Sequence, residues 1–302
     1  MSIDADWLVD RRRLKKRLRW WQVGAVLAAV LAVVAFVGRF DAAFERPHVA
    51  RIDVYGLIVD DSDRDRLLAE VARDDAAAAL IVRIDSPGGT VVGGEVLYRG
   101  LRRVAERKPV VAVLGELATS AGYMTAIGSD WIIAHDGTLT GSVGVIIQSA
   151  DFTGLMDKLG IKPEAVKSTP LKAQPNPLEP FTPEAREAIR KVVDDVYAMF
   201  KDMVQERRQL DPEQLAAVTD GAIFTGRQAL ANGLVDALGG EVEARDWLER
   251  ARGVSASLPT RDLEVPGPER ELADLLGTVT RKMLFAERLS LDGLVSVWHP
   301  SH

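Results

Sequence analysis

Cysteine is absent from the 302-residue sequence, and histidine occurs only four times. Without cysteine the chain can form no disulfide bond, no thiolate zinc site and no cysteine nucleophile. A histidine-based triad also has few candidates, because His48 lies beside an apolar N-terminal segment and His299 and His302 end the chain. His135 is the one histidine in the central part of the sequence. It is a candidate for the base of such a triad, and the alternative is an ordinary histidine at the end of a strand.

The formal net charge of -6 conceals a strongly basic start to the chain. Residues 11–19 carry seven arginine and lysine side chains, and an apolar run from Trp20 to Val37 follows. At about 1.5 Å per helical residue this run spans about 27 Å, close to the hydrocarbon thickness of a bilayer. We therefore expect a basic cytoplasmic segment at 1–19 and a transmembrane anchor at 20–39.

This pattern predicts a single-pass protein of the cytoplasmic membrane, with its N-terminus inside and the rest of the chain outside, in a periplasmic or other extracytoplasmic space. A cleaved signal peptide is the alternative. Against it, the apolar run is long and the residues that follow, Gly38 to Asp41, form a poor cleavage site.

The remaining sequence divides into a connector at 40–48, a large domain at 49–253 and a proline- and charge-rich C-terminal extension at 254–302. Strand-like and helix-like segments alternate in the large domain, which predicts the α/β class. Predicted strands cover 79–84, 109–114 and Trp131–Ala134. A long helix is predicted to begin after Thr182 as N-cap, with Pro183 at its first position.

The first motif with possible chemistry is Asp85-Ser86-Pro87-Gly88-Gly89, at the end of a predicted strand. Its glycines leave backbone N–H groups without ladder partners and without Cβ atoms beside them. Such donors can bind an oxyanion. An ordinary Pro-Gly-Gly turn is the alternative.

The second motif places Ser120 between the next predicted strand and a helix that starts with small residues. Ser120 is a candidate nucleophile, and the helix N-terminus would add the N–H group of Ala121 and a favourable dipole. An N-cap serine is the alternative. In a third stretch, Thr138 to Val145, Ser142 is a candidate for orienting a general base, with a polar turn as the alternative.

Four stretches occur in the order seen in signal peptide peptidase A, namely Asp85–Gly89, Ser120–Tyr123, Thr140–Gly144 and Asp220–Gly226 with Gly233–Asp236. Residues 49–250 thus resemble the half-length form of that membrane-anchored serine peptidase family, S49. The resemblance implies the Clp-protease/crotonase superfold. In that superfold repeated ββα units form a superhelical core, here with an N-terminal transmembrane helix and a C-terminal helical appendage.

The resemblance also implies the roles of the site residues. Ser120 matches the nucleophile and Lys172 the general base, although Thr169-Pro170-Leu171 departs from the glycine-containing tripeptide of the family. With the donors and the hydroxyl inferred above from the residues, the amides of Gly88 or Gly89, together with Ala121, would hold the oxyanion and Ser142 would orient the base, with no metal or other cofactor. Burial can lower a lysine pKa from about 10.4 far enough for such catalysis. The other lysines of this stretch, Lys162 and Lys167, are interpreted as surface charges.

In half-length members of the family the lysine comes from a neighbouring subunit of a ring. The resemblance therefore implies a homo-oligomeric ring that degrades remnant signal peptides or other apolar peptides near the membrane. The basic block followed by the apolar run predicts that the ring is held at the membrane through 20–39 and that the chain binds no nucleic acid. Three alternatives stay open: the same superfold with His135 as base, a crotonase-like acyl-CoA enzyme, and a non-catalytic membrane scaffold.

Overall fold

The computed structural model describes residues 20–22, 25–28, 46–265 and 295–297. Residues 20–22 and 25–28 are helical and belong to a first unit, Met1–Pro47. Among the described residues, no helix combines the length and the apolar character needed to cross a bilayer. The predicted segment 1–19, most of the predicted anchor and most of the predicted C-terminal extension lie outside the described residues.

A mixed β-sheet organises the second unit, His48–His302. The strands are His48–Tyr55 (β1), Ala77–Ser86 (β2), Gly88–Thr90 (β3), Val110–Thr119 (β4), Trp131–Ala134 (β5), Leu139–Gly141 (β6), Ile223–Thr225 (β7), Ala237–Leu238 (β8), Thr260–Leu263 (β9) and Val295–Val297 (β10). The helices are Ser62–Arg73 (α1), Val91–Ala105 (α2), Ala121–Ala126 (α3), Thr153–Leu159 (α4), Pro183–Arg208 (α5), Pro212–Val218 (α6), Gly226–Ala231 (α7) and Glu241–Arg252 (α8).

The main sheet runs in the order β7-β6-β4-β2-β1-β9, and β5 and β8 extend from β4 as a branch. Neighbouring strands are parallel except for the antiparallel pair β6 and β7. A separate small sheet joins β3 to β10 in antiparallel pairing. The structure thus confirms a mixed α/β fold, in which the strand at Trp131–Ala134 has the predicted bounds.

Two apolar cores lie on the two faces of the sheet, because successive residues of a strand point to opposite faces. In β2, Leu80 and Val82 belong to the larger core, which contains residues of α1, α2, α3 and α5. Ala79 and Ile81 belong to the smaller core, which is covered by α8. The helix that follows Ser120 therefore packs on the face opposite α8.

Strand β4 extends past its predicted end at 114 because it changes partner. It pairs first with β5 and then with β6, and its register with β2 shifts where the partner changes. Polar side chains hold this irregular segment: Asp85 accepts the Leu117 N–H at 3.2 Å, and the Thr138 hydroxyl donates to Gly115 O at 2.7 Å. The strand can therefore continue to Thr119, beside the Gly-rich loop.

The predicted cap of the long helix α5 is confirmed. Thr182 accepts the N–H of Ala185 at 3.2 Å, with proline in the first turn. Near the other end of α5, Arg208 pairs with Asp236 at 2.7 Å, and Asp236 also accepts the Ile132 N–H at 2.7 Å. This network fixes α5 to the branch strands β5 and β8.

Candidate active site

Ser120 occupies a sharp turn between β4 and α3, with φ 54° and ψ -117°. A positive φ is strained for a residue other than glycine and often marks a functional site. Backbone bonds hold the turn, because the Ser120 N–H donates to Gly141 O at 2.9 Å and the Ser120 C=O accepts from Met124 at 2.8 Å. Its side chain makes no capping bond to α3. The turn therefore favours a nucleophile over an N-cap serine.

The Gly-rich loop is hydrogen-bonded at one edge to Ile58. Gly88 O accepts the Ile58 N–H at 2.9 Å, and the Thr90 N–H donates to Ile58 O at 2.8 Å. Since backbone groups alternate between the two edges of a strand, the N–H and C=O of Gly89 point to the opposite edge. That edge pairs with β10, where Ser296 lies opposite Gly89.

The structure distinguishes the two glycines that the sequence treats alike. The Gly88 N–H donates to Ser86 Oγ at 3.1 Å, and Gly88 adopts φ +117°. The Gly89 N–H faces the outer edge of β3, and a Cβ at this position would lie 1.8 Å from Ile58 O. Gly89 is therefore the better placed oxyanion donor of the loop, and no side chain fits there without moving the backbone.

The nucleophile turn and the Gly-rich loop lie side by side. Thr119 Oγ1 donates to Pro87 O at 3.0 Å, and Ser86 pairs with Ala118 across the sheet. A Cβ at Gly122 would lie 3.1 Å from Ser86 O, so the first turn of α3 packs directly against the end of β2. The two motifs that define the predicted site are thus brought together, with the first N–H of α3, that of Ala121, at the junction.

Ser142 also lies close to the nucleophile along the backbone. It follows Gly141, whose carbonyl accepts the Ser120 N–H, and its own N–H donates to Ala222 O at 2.7 Å. Its φ of 52° is positive. The stretch at 220–226 thus supports the turn after β6 through this hydrogen bond, a role that its sequence did not reveal. The orienting role of Ser142 stays a prediction.

Lys172 lies in an exposed turn, where its N–H donates to Thr169 O at 3.1 Å. Nearby, Lys167 pairs with Glu179, which also accepts from Gln174 at 2.8 Å. The Lys167 ammonium, with weaker hydrogen bonds from neighbouring amides, holds the pKa of the Glu179 carboxyl below its usual value. The ion pair of Lys167 with Glu179 therefore joins the two ends of the loop that contains Lys172. This pairing makes Lys167 a poor candidate for a general base.

His135 follows β5 and is exposed. It lines a cavity of about 290 Å³ together with Asp53 and Arg83. A Cβ at Gly240, just before α8, would lie 3.0 Å from its ring. These contacts place His135 on the side of the sheet covered by α8, whereas α3 packs on the other side. The geometry therefore gives no support to His135 as the base for Ser120.

Comparison with known proteins decides the family. The family model for peptidase family S49 matches residues 102–255. The chain belongs to peptidase family S49. The protein slr0021 of Synechocystis sp., whose name describes it as a protease, is 35% identical over 247 residues, which cover 82% of this chain and 89% of slr0021. The predicted resemblance is therefore confirmed.

Two further relatives are longer than this chain. "Serine protease SPPA, chloroplastic" of Arabidopsis thaliana is 30% identical over 72% of this chain and 32% of its own length. "Protease 4" of Haemophilus influenzae is 27% identical over 76% of this chain and 39% of its own length. The chain therefore spans well under half of these two relatives.

Among solved structures, a peptide-bound mutant of the 1510-N membrane-bound stomatin-specific protease aligns with 78% of this chain and 99% of its own. The TM-score is 0.49 and the sequence identity 17%. The assignment to family S49 rests on sequence and not on this structural similarity.

Proposed function

We propose that this S49 protein is a membrane-anchored serine endopeptidase whose catalytic dyad is Ser120 and Lys172. One observation carries the proposal. The strained turn of Ser120 lies beside β3, and the outer edge of β3 already pairs with an extended segment, Val295–Val297. This pairing shows that the edge accepts an extended strand, and adding a strand to a sheet edge is a common way to bind a peptide. A peptide that took the place of Val295–Val297 at this edge would run its backbone past Ser120.

The reaction starts when Ser120 Oγ attacks the carbonyl carbon of the scissile bond and its proton passes to Lys172 Nζ. The C=O electron pair moves to oxygen, which accepts hydrogen bonds from the N–H groups of Gly89 and Ala121. The C–N bond then breaks, and the lysine ammonium gives its proton to the leaving amine. Water next attacks the ester, Lys172 removes its proton, and the acid product leaves as Ser120 regains a proton. Gly88 and Ser142 support the site without entering these steps.

Lys172 requires a second surface before it can act as a base. A lysine becomes neutral near neutral pH only when it is desolvated, yet Lys172 is exposed in the single chain. The segment around it exposes many large apolar side chains, namely Ile146, Phe152, Leu155, Leu159, Ile161, Val166, Leu171 and Leu178. Exposed apolar groups of this extent are typical of interaction surfaces.

The occupant of this surface is proposed to be another copy of the chain. In a closed homo-oligomeric ring each subunit offers one surface to a different surface of the next. Lys172 of one subunit would then reach Ser120 of its neighbour and be desolvated by the contact. The superhelical core of repeated ββα units, which the Clp-protease/crotonase superfold would have, is part of this same proposal.

Location and substrates follow from the N-terminal segment. Residues 11–19 are strongly basic and the apolar run follows at once, which supports a single-pass anchor at 20–39 with the peptidase domain, 49–253, outside the cytoplasmic membrane. A site anchored there meets apolar peptides released at the bilayer. We therefore propose remnant signal peptides as substrates, and the mechanism requires no cofactor.

A fluorophosphonate probe tests the proposed nucleophile. The probe should label the full-length protein in detergent at Ser120, as located by peptide mapping, and the Ser120→Ala variant should not react. The matched control is Ser129→Ala, which removes another buried hydroxyl, one that donates to Ala126 O at 2.6 Å. It should label like the wild type. A wild-type protein that the probe does not label would favour a scaffold or an acyl-CoA enzyme instead.

A further inference from the structure

Thr119, which is not a member of the proposed dyad, links the nucleophile turn to the Gly-rich loop through a hydrogen bond. The residue is fully buried, at 0% exposure. Its hydroxyl donates to Pro87 O at 3.0 Å, and Ser120 is the next residue along the chain. One side chain therefore connects the backbone that carries the nucleophile to the backbone that carries the oxyanion donor.

The bond from Thr119 controls the peptide plane between Pro87 and Gly88. The carbonyl of this peptide unit, Pro87 O, accepts from the Thr119 hydroxyl, and its N–H, that of Gly88, donates to Ser86 Oγ at 3.1 Å. A peptide unit is planar, so holding both its C=O and its N–H fixes its rotation. The N–H of Gly89 belongs to the next peptide unit, whose carbonyl is held by Ile58. The direction of the Gly89 N–H is therefore set by Ile58 within its own peptide unit and by Thr119 through the preceding unit, since the two units meet at the Gly88 Cα.

We propose that Thr119 is a positioning residue for the oxyanion site, because it sets the Gly89 N–H relative to Ser120 Oγ. Thr119 contacts no substrate atom in this account and acts through the Pro87 carbonyl. The inference rests on the proposed function and extends it. Catalytic geometry has to be held within about 0.5 Å by supporting side chains, and Thr119 is the support for this donor.

Removing the hydroxyl should affect the transition state more than substrate binding. The inner edge of β3 keeps its bonds to Ile58, so a peptide can still replace Val295–Val297 at the outer edge. The Pro87–Gly88 plane is then held at its N–H alone, and the Gly89 N–H loses its alignment. Losing a complete oxyanion donor lowers kcat by about a hundredfold to a thousandfold, so misaligning one should lower it by about tenfold to a hundredfold.

The experiment compares Thr119→Val, Thr119→Ser and Thr219→Val in the full-length protein. Thr219 is the matched control, because it is 2% exposed and its hydroxyl donates to the backbone carbonyl of Leu215 at 2.8 Å. Two quantities are measured: kcat and KM on a fluorogenic peptide, and the inhibition constant of a peptide boronic acid. Such an inhibitor forms a tetrahedral adduct on serine that places an oxygen in the oxyanion site.

Thr119→Val should lower kcat about tenfold to a hundredfold with KM nearly unchanged, and should weaken boronic acid binding by a similar factor. Thr119→Ser should keep wild-type values because it restores the donor, and Thr219→Val should also behave like the wild type. If Thr119→Val does not fold, Thr119→Ala gives the same comparison without an added methyl group.

Wild-type kcat and boronic acid affinity in Thr119→Val would overturn the inference, as would a failure of Thr119→Ser to restore them. An inactive wild-type protein that the fluorophosphonate probe also leaves unlabelled is a different result. It would overturn the proposed function and this inference with it.

Discussion

Replacing Lys172 by alanine is expected to lower peptide hydrolysis by about a thousandfold or more, since a serine hydroxyl is a weak nucleophile without its base. The fold should be unaffected, because Lys172 lies in an exposed turn and exposed substitutions usually change the free energy of unfolding by less than about 0.5 kcal/mol. Hydrolysis of a fluorogenic peptide and thermal unfolding measure the two effects.

Two variants make this result specific. Lys172→Arg should also be inactive, because a guanidinium does not give up its proton in proteins. The control Lys162→Ala, which removes another exposed lysine of the same region, should keep wild-type activity. Full hydrolysis by Lys172→Ala together with an inactive His135→Ala would assign the base to His135 and contradict the dyad.

Gly89→Ala should lower kcat by about a hundredfold to a thousandfold, the effect of losing an oxyanion donor. A Cβ at this position would lie 1.8 Å from Ile58 O, which is backbone and cannot move aside alone. The loop must then shift away from Ile58, and its N–H moves with it. The measurement is kcat on a fluorogenic peptide, with thermal unfolding to record the destabilisation that accompanies the shift.

The control for this change is Gly137→Ala, because a Cβ there would meet no atom within 4 Å and the backbone needs no positive φ. It should preserve both kcat and stability. A Gly89→Ala protein with wild-type kcat would show that the Gly89 N–H does not contribute to the oxyanion site.

Much of the fold follows from local sequence signals. The strand at Trp131–Ala134 is a short apolar run, and the helix after Thr182 has an N-cap and a proline that define its start. Strand β3 gives no such signal, since it has three residues and is formed by distant partners, Ile58 and β10. The extension of β4 beyond 114 also depends on distant groups, Asp85 and Thr138.

For the candidate site, the sequence selected Ser120 and the Gly-rich loop from residue types alone, and their catalytic roles stay predictions. The two lie side by side because α/β topology brings the ends of β2 and β4 together. The sequence could not choose between Gly88 and Gly89, because the choice depends on which edge of β3 faces Ile58. Thr119 was missed because a threonine before a serine has no distinctive pattern. In the proposed dyad the position of Lys172 relative to Ser120 involves a neighbouring subunit, and one sequence does not encode such a contact locally.

Mixing inactive subunits is the most direct test of a Ser120–Lys172 dyad formed between chains. Ser120→Ala and Lys172→Ala are co-expressed with different affinity tags, and assemblies that carry both tags are purified and assayed on a fluorogenic peptide. Each variant alone should be inactive. In mixed rings about a quarter of the sites combine an intact Ser120 with an intact Lys172 from the neighbour, so about a quarter of wild-type activity should return. Mixed assemblies without activity would contradict a dyad shared between subunits.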